Sequence, residues 1–387
     1  MNAFTTRRGR LLAATGIAAV AALALAGCDA TGGTTDSPAP SDSSTADGIA
    51  GEVQALEAPL SDWPVPTDKV SDATVLKGKT VYYVPVTLQS TQFDIAQVGL
   101  TQALQALGAS IQVCDGQGIP TTIASCIGQA TQAGAAAIVA DAIQYELAGN
   151  AFDAAQAAGI PVIIADQAPS SSHPDTKTLV TITGEVGDQM DEALAKFIVA
   201  DSDGKADVLA NQATDGSSPA EFFKAAQAVY DANGVKVTIN PVSSANFPLV
   251  APSTSAALLK DPNIDYLHVQ YGQYSQPSIG GIQSAGLAGK VKVVTGASQL
   301  SELQAVQSGD LAAAVSPSAA YEGWIFADAA LRLAAGDTVP DYAVPYRLFT
   351  SSNIGSVTLS DDAVANGSIY GPTTSFADEF KQLWGVN

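Results

Sequence analysis

Ala157-Ala158-Gly159-Ile160-Pro161-Val162-Ile163-Ile164-Ala165-Asp166 is the stretch on which the fold turns. The alanines end a helical pattern, and Gly159 supplies the left-handed residue that closes a helix. Val162-Ile163-Ile164-Ala165 then runs without a polar residue. A half-exposed strand alternates polar and apolar positions, so a wholly apolar one is buried on both faces, as in a parallel sheet covered by helices. Asp166 falls at the carboxyl end of that strand, where such a sheet opens to solvent.

The same unit recurs on either side. Upstream, Lys79 to Val86 reads as a strand, Ile95 to Leu107 as a helix closed by Gly108, Ile111 to Val113 as a strand, and Pro120 opens the next helix. Ala136 to Ala140 is the third strand. Downstream, after an irregular stretch from Ala168 to Lys177, strands near 179–183, 206–210, 235–240, 266–269, 291–294 and 311–315 alternate with helical patterns, the last helix running from Tyr321 to Ala335. Alternating strands and helices of this kind imply right-handed crossovers and doubly wound parallel sheets.

The chain begins differently. Arg7, Arg8 and Arg10 precede an apolar run from Leu11 to Ala26, then Gly27 and Cys28, an export signal too short for a spanning helix. The Leu25-Ala26-Gly27-Cys28 ending resembles a bacterial lipobox, which implies a signal peptide over 1–27, lipidation of Cys28 and anchoring on the outer face of the cell membrane. Residues 28–50, rich in Ser, Thr, Gly, Asp and Pro, read as a flexible linker.

Charge and cysteines bound the chemistry. The 387 residues carry 17 basic and 38 acidic side chains, a net charge of −21, and removal of the leader takes away three arginines. Binding to nucleic acid by counterion release is excluded. Three cysteines and two histidines do not make a Cys/His metal centre, and the sequence asks for no cofactor. With Cys28 assigned to lipid, Cys114 and Cys126 remain as an even pair in an oxidising compartment, which predicts a disulfide between a strand end and the next helix. Two separately buried thiols are the alternative.

The order of elements resembles the type I periplasmic binding proteins of the ribose-binding kind, over roughly residues 75 to 350. The resemblance is carried by Tyr83-Val84-Pro85-Val86-Thr87-Leu88-Gln89-Ser90-Thr91-Gln92-Phe93, by the stretch that ends in Asp166, and by Leu303-Gln304-Ala305-Val306-Gln307-Ser308-Gly309-Asp310-Leu311-Ala312-Ala313. It implies an α/β fold of two doubly wound parallel-sheet lobes joined by a three-crossing hinge. On this sequence that places lobe one at 75–183 plus 317–345, lobe two at 184–316 plus 346–370, and a C-terminal tail at 371–387. It also implies a monomer that delivers a small ligand to an ABC permease.

Ligands of open α/β sheets sit outside the carboxyl ends of the strands. That rule selects Thr87, Ser90, Gln92, Phe93, Asp115, Asp141, Asp166 and Gln167 from lobe one. From lobe two it selects Asp215, Ser217, Phe247, Tyr271, Gln273, Ser298 and Gln299, with Ser316 and Ser318 at the hinge. The resemblance implies that Phe93 and Phe247 stack on a sugar face and that Asp141 and Asp166 accept hydrogen bonds from hydroxyls. It departs from the family at Gln167, where sugar binders often carry arginine.

Apart from Lys177, no cation lies in a predicted crevice loop, so an anionic ligand is disfavoured and an uncharged sugar, polyol or cyclic compound is expected, an amine being conceivable. An exported hydrolase would need a nucleophile and base, yet there is no Gly-x-Ser-x-Gly, His173 precedes Pro174 in an irregular stretch, and His268 lies inside an apolar strand. The expectation is a binding protein, not an enzyme. A ligand-sensing ectodomain partnered with a membrane receptor shares the same architecture.

Overall fold

The computed structural model describes residues 43–183 and 186–386; the leader, Cys28 and the first part of the linker lie outside them. Helix α1 (Ser43–Glu57) comes first, followed by an irregular run to β1 (Thr80–Pro85). The first lobe then alternates α2 (Thr91–Ala106), β2 (Ser110–Val113), α3 (Pro120–Gln132), β3 (Ala137–Asp141), α4 (Gly149–Ala157), β4 (Val162–Ala165) and β5 (Leu179–Ile182). Its five strands are all parallel, in the order β2-β1-β3-β4-β5. Every residue of β3 and β4 is buried, as the apolar runs Ala137 to Ala140 and Val162 to Ala165 require, and Asp141 is buried with them at the end of β3. The disulfide Cys114–Cys126, with Cα atoms 5.7 Å apart, ties the end of β2 to α3.

The second lobe is built from α5 (Val186–Asp201), β6 (Asp207–Ala213), α6 (Ser218–Ala232), β7 (Lys236–Val242), α7 (Val250–Lys260), β8 (Tyr266–Val269), α8 (Ser275–Ser284), β9 (Lys292–Thr295), α9 (Leu300–Ser308) and β10 (Ala313–Pro317). The chain returns to lobe one as α10 (Ala319–Ala335) and crosses back as β11 (Tyr346–Thr350). The second sheet has the order β11-β10-β9-β8-β6-β7, and β11 alone is antiparallel, pairing Ala313 with Thr350 and Pro317 with Tyr346. The hinge therefore has three crossings, at Ile182 to Val186, Pro317 to Ala319, and Ala335 to Tyr346. The architecture is two doubly wound lobes, as the strand pattern implies.

Three boundaries differ from the sequence reading. The linker expected to run to residue 50 has become helix by Ser43, because Ile49, Val53 and Leu56 make an apolar stripe that packs on α5 and β11. Glu57 at its end accepts hydrogen bonds from Thr350 Oγ1 (2.5 Å) and Ser352 Oγ (2.7 Å). The segment 346–370 does not stay with lobe two, since α11 (Asp361–Ala365) packs on α2 and α10 of lobe one. Residues 371–387 do not trail: α12 (Phe376–Trp384) buries Phe376, Phe380 and Trp384, at i, i+4 and i+8, against α10. Trp384 stacks on Trp324 at 5.5 Å and donates from Nε1 to Asp328 (2.7 Å).

One helix contact sets the geometry of the site. Gly99 of α2 and Gly323 of α10 let the two backbones touch. A Cβ at Gly99 would lie 2.2 Å from the Ala320 carbonyl oxygen, and one at Gly323 would lie 2.3 Å from that of Ala96. This close approach seats the first turn of α10, with Glu322, beneath the carboxyl ends of the lobe-one strands.

Candidate functional site

A cavity of about 220 Å³ lies between the lobes at the carboxyl ends of both sheets. Strand register brings its lobe-one rim together: Pro85 pairs with Asp141, and Asp141 with Ala165, so the three strands end level. Just past the strand ends, Ala142, Asp166 and Ala297 take left-handed backbone conformations with φ of 55°, 55° and 46°, and all three line the cavity. Non-glycine residues hold such angles only where their surroundings over-determine them, and such positions cluster at ligand sites.

Of the residues selected from sequence, Thr87, Ser90, Gln92, Phe93, Asp166 and Gln167 line the cavity from lobe one, and Asp215, Tyr271 and Gln273 from lobe two. Asp141 stands directly behind them, 1% exposed, with its Oδ2 accepting from the Tyr83 hydroxyl at 2.5 Å. The others turn away. Ser298 donates to the Thr295 carbonyl (3.2 Å), and Ser316 to that of Ser298 (2.7 Å), so both hydroxyls satisfy backbone inside lobe two. Phe247 packs on the ring of Tyr274, 6.1 Å between centroids, rather than on the cavity. Ser217 sits outside, at an adjoining groove.

Residues that the strand-end rule does not reach complete the walls. Val186, Gly187 and Met190 come from α5, Ser218, Pro219 and Phe222 from α6, and Glu322 from α10. A Cβ on Gly187 would fall 2.4 Å from the Phe222 ring, so the glycine leaves the space that the ring occupies. The aromatic faces of Phe93, Phe222 and Tyr271 and the side chains of Val86, Ile123 and Leu147 make the enclosure largely apolar. Among the described residues, no lysine, arginine or histidine lines it.

Its acids are consequently unusual. Burial pushes the Asp141 carboxyl up to about 6, against the pull of the Tyr83 hydrogen bond. Burial, then the neighbouring charge of Asp141, raises Glu322 to about 8. Asp166 is driven well above the ordinary range by burial first and by the charges of Glu322 and Asp141 next. A carboxyl raised as far as that of Glu322 holds its proton at neutral pH unless a donor or cation reaches it.

The lobes also touch directly at the rim. Gln144 Nε2 donates to Ser217 Oγ (2.6 Å), Ser218 Oγ donates to Gln167 Oε1 (2.8 Å), and the Ala168 amide donates to Ser218 Oγ (3.1 Å). These bonds join lobe one to the start of α6 in lobe two, and they hold the cavity closed on that side.

Comparison with known proteins agrees with this geometry. Residues 81–338 match a family model described as a periplasmic binding protein domain. Among solved structures, the Caulobacter myo-inositol binding protein superposes with a TM-score of 0.64 at 19% identity, covering 76% of this chain and 98% of that one. A carbohydrate transporter from Acidothermus cellulolyticus, in complex with myo-inositol, gives 0.61 at 22%, covering 72% and 96%. The 5-methylthioribose transporter solute binding protein from Thermotoga lettingae gives 0.66 at 16%, covering 82% and 99%. A search of curated proteins finds no match. With two parallel-sheet lobes, a three-crossing hinge and two thirds of its length on the family model, the chain belongs to the periplasmic binding protein family and has the type I fold.

Proposed function

We propose that the chain is a solute-binding lipoprotein, anchored through Cys28 on the outer face of the membrane, that delivers a small non-anionic ligand (a sugar, polyol or cyclic compound) to an ABC permease. The cavity carries this reading. Both lobes wall it, hydrogen bonds across the rim hold it shut, and no cation among the described residues lines it. A carboxylate or phosphate brought inside would lose its water and meet Asp166, Glu322 and Asp215 instead of a partner. Ring faces at Phe93, Phe222 and Tyr271 suit the apolar face of a small cyclic body.

A ligand that touches both lobes stabilises the closed state by the contacts it makes only there, and the closed form is the one presented to the permease. The two histidines do not serve this cavity. His268 is buried between Tyr230 and Asp191, and His173 stacks on Tyr145 in the outer groove. This supports reading the chain as a carrier.

The test is a thermal-shift screen of the mature protein against neutral sugars, polyols, aromatics and amines, since a ligand bound only by the native state raises its melting temperature. Phe93→Ala is expected to keep the unliganded melting temperature within a few degrees and to lose the ligand-induced rise. A full rise retained in Phe93→Ala contradicts the site.

A further inference from the structure

The lobe-one wall presents carboxyls without counterparts. Asp141 and Asp166 reach the cavity end of the sheet from β3 and from the turn after β4, and Glu322 reaches it from the first turn of α10. Glu322 is 2% exposed, lines the cavity, and its Oε2 has no hydrogen-bond partner, while Asp141 and Asp166 share a side-chain hydrogen bond. The groups that do reach this cluster are neutral: the Tyr83 hydroxyl on Asp141 at 2.5 Å, and the Gln92 amide on Asp166 at 3.4 Å. The two arginines of the described residues are engaged elsewhere, Arg332 with Asp328 and the Asp68 carbonyl, Arg347 with the carbonyls of Glu57 and Ile369.

Buried carboxyls of this kind need donors or opposite charge. Hydroxyls supply donors and leave the charge uncompensated. An ammonium supplies three donors and the opposite charge at one atom. The rest of the enclosure, with Phe93, Ile123, Val186 and Phe222, accommodates the apolar body, and the ring faces favour a cation beside them.

We propose that the ligand carries a protonated amino group, received by Asp166 and Glu322 while its body lies between Phe93 and Phe222; the inference rests on the carrier reading above. Asp141 stands behind Asp166 as a positioning residue and does not line the cavity.

The experiment is calorimetric titration of the mature protein with matched pairs, D-glucosamine against D-glucose and cyclohexylamine against cyclohexanol. The amine of at least one pair is expected to bind roughly tenfold to a hundredfold more tightly than its alcohol, the range of a charge-assisted hydrogen bond. Glu322→Gln should erase that preference, bringing the amine's affinity down to that of its alcohol; Asp166→Asn should do the same, should the first variant fold poorly. Alcohols that bind as tightly as their amines, an amine preference that survives both substitutions, or no amine binding in either pair overturns the proposal. An alcohol that binds and closes the lobes removes the amine while leaving the carrier reading in place, so the two failures are distinguishable.

Discussion

The cavity wall of lobe one and the interior of lobe two bury the same kind of side chain and treat it in opposite ways. In lobe two, Asp191 is fully buried, yet Gln270 Nε2 donates to it at 2.7 Å and His268 Nε2 lies 3.2 Å away. Asp215 is likewise occupied by the hydroxyls of Ser243 (2.7 Å) and Tyr274 (2.6 Å) and by the Ser244 amide. On the cavity wall of lobe one, Glu322 Oε2 has no hydrogen-bond partner, and the cavity opens on Asp166 and Glu322. Lobe two uses its acids to hold itself together, as lobe one does with Asp328 behind α10, whereas the cavity wall of lobe one leaves Glu322 free for a guest. The difference teaches that burial alone does not mark a functional acid; the absence of an internal partner does.

The largest expected effect lies in lobe two. Asp191→Ala strips a partner from His268 and Gln270 inside the core and should destabilise the protein by about 3 kcal/mol, measured by urea unfolding. Glu322→Gln should cost no stability, because it removes an unpartnered carboxyl from an apolar wall. Equal losses in the two variants would erase the contrast between the lobes.

Next in size is the cavity wall. Phe222→Ala removes an aromatic face that α6 contributes and is expected to weaken ligand binding by about 2 kcal/mol, read by calorimetry, with a smaller change in stability because the ring is only half-buried.

The pH response sharpens the comparison further. Glu322 and Asp141 are raised in the folded protein, so between their unfolded values and about 8 and about 6 respectively the native state binds more protons than the unfolded chain. Stability contributed by the protonated forms is therefore present at low pH and lost as pH rises toward 8, with a slope of at most about 1.4 kcal/mol per pH unit for each group. Tyr83, Asp141, Asp166 and Tyr370 are the titratable groups around Glu322. Unliganded melting temperatures from pH 5 to 8 should fall, and the fall should be shallower in Glu322→Gln. An identical slope in the variant would contradict the assignment.

The smallest effect belongs to the rim. Ser218→Ala deletes the bonds to Gln167 and to the Ala168 amide and should weaken ligand affinity by about 1 kcal/mol, while leaving each lobe as stable as before. A change in lobe stability rather than affinity would mean that the rim bonds do not act as a latch.

Much of this was legible in the sequence, and for physical reasons. Uninterrupted apolar strands such as Val162 to Ala165 can only be central in a parallel sheet, and strand ends in such sheets are where ligands sit. That logic selected Phe93, Asp166, Gln167, Tyr271 and Gln273, which line the cavity. It failed for Ser298 and Ser316, whose hydroxyls close backbone bonds that only the three-dimensional turn reveals. It could not reach Glu322, because an acid in the first turn of a helix already has a local explanation in the helix dipole. Only the second hinge crossing, and the Gly99–Gly323 contact, carry that turn under the cavity. Met190 and Phe222 stand on helices, which the strand-end rule does not select. Strand β11 follows a Pro-containing irregular stretch, Val339 to Pro345, and is antiparallel, so no strand–helix alternation announces it.

The central claim is that the lobes close on a guest. Small-angle scattering of the mature protein, with and without a ligand taken from the thermal-shift screen at saturating concentration, tests it most directly. The account predicts a smaller radius of gyration with ligand than without, and a loss of that compaction in Phe93→Ala. Tight binding with an unchanged radius would contradict it.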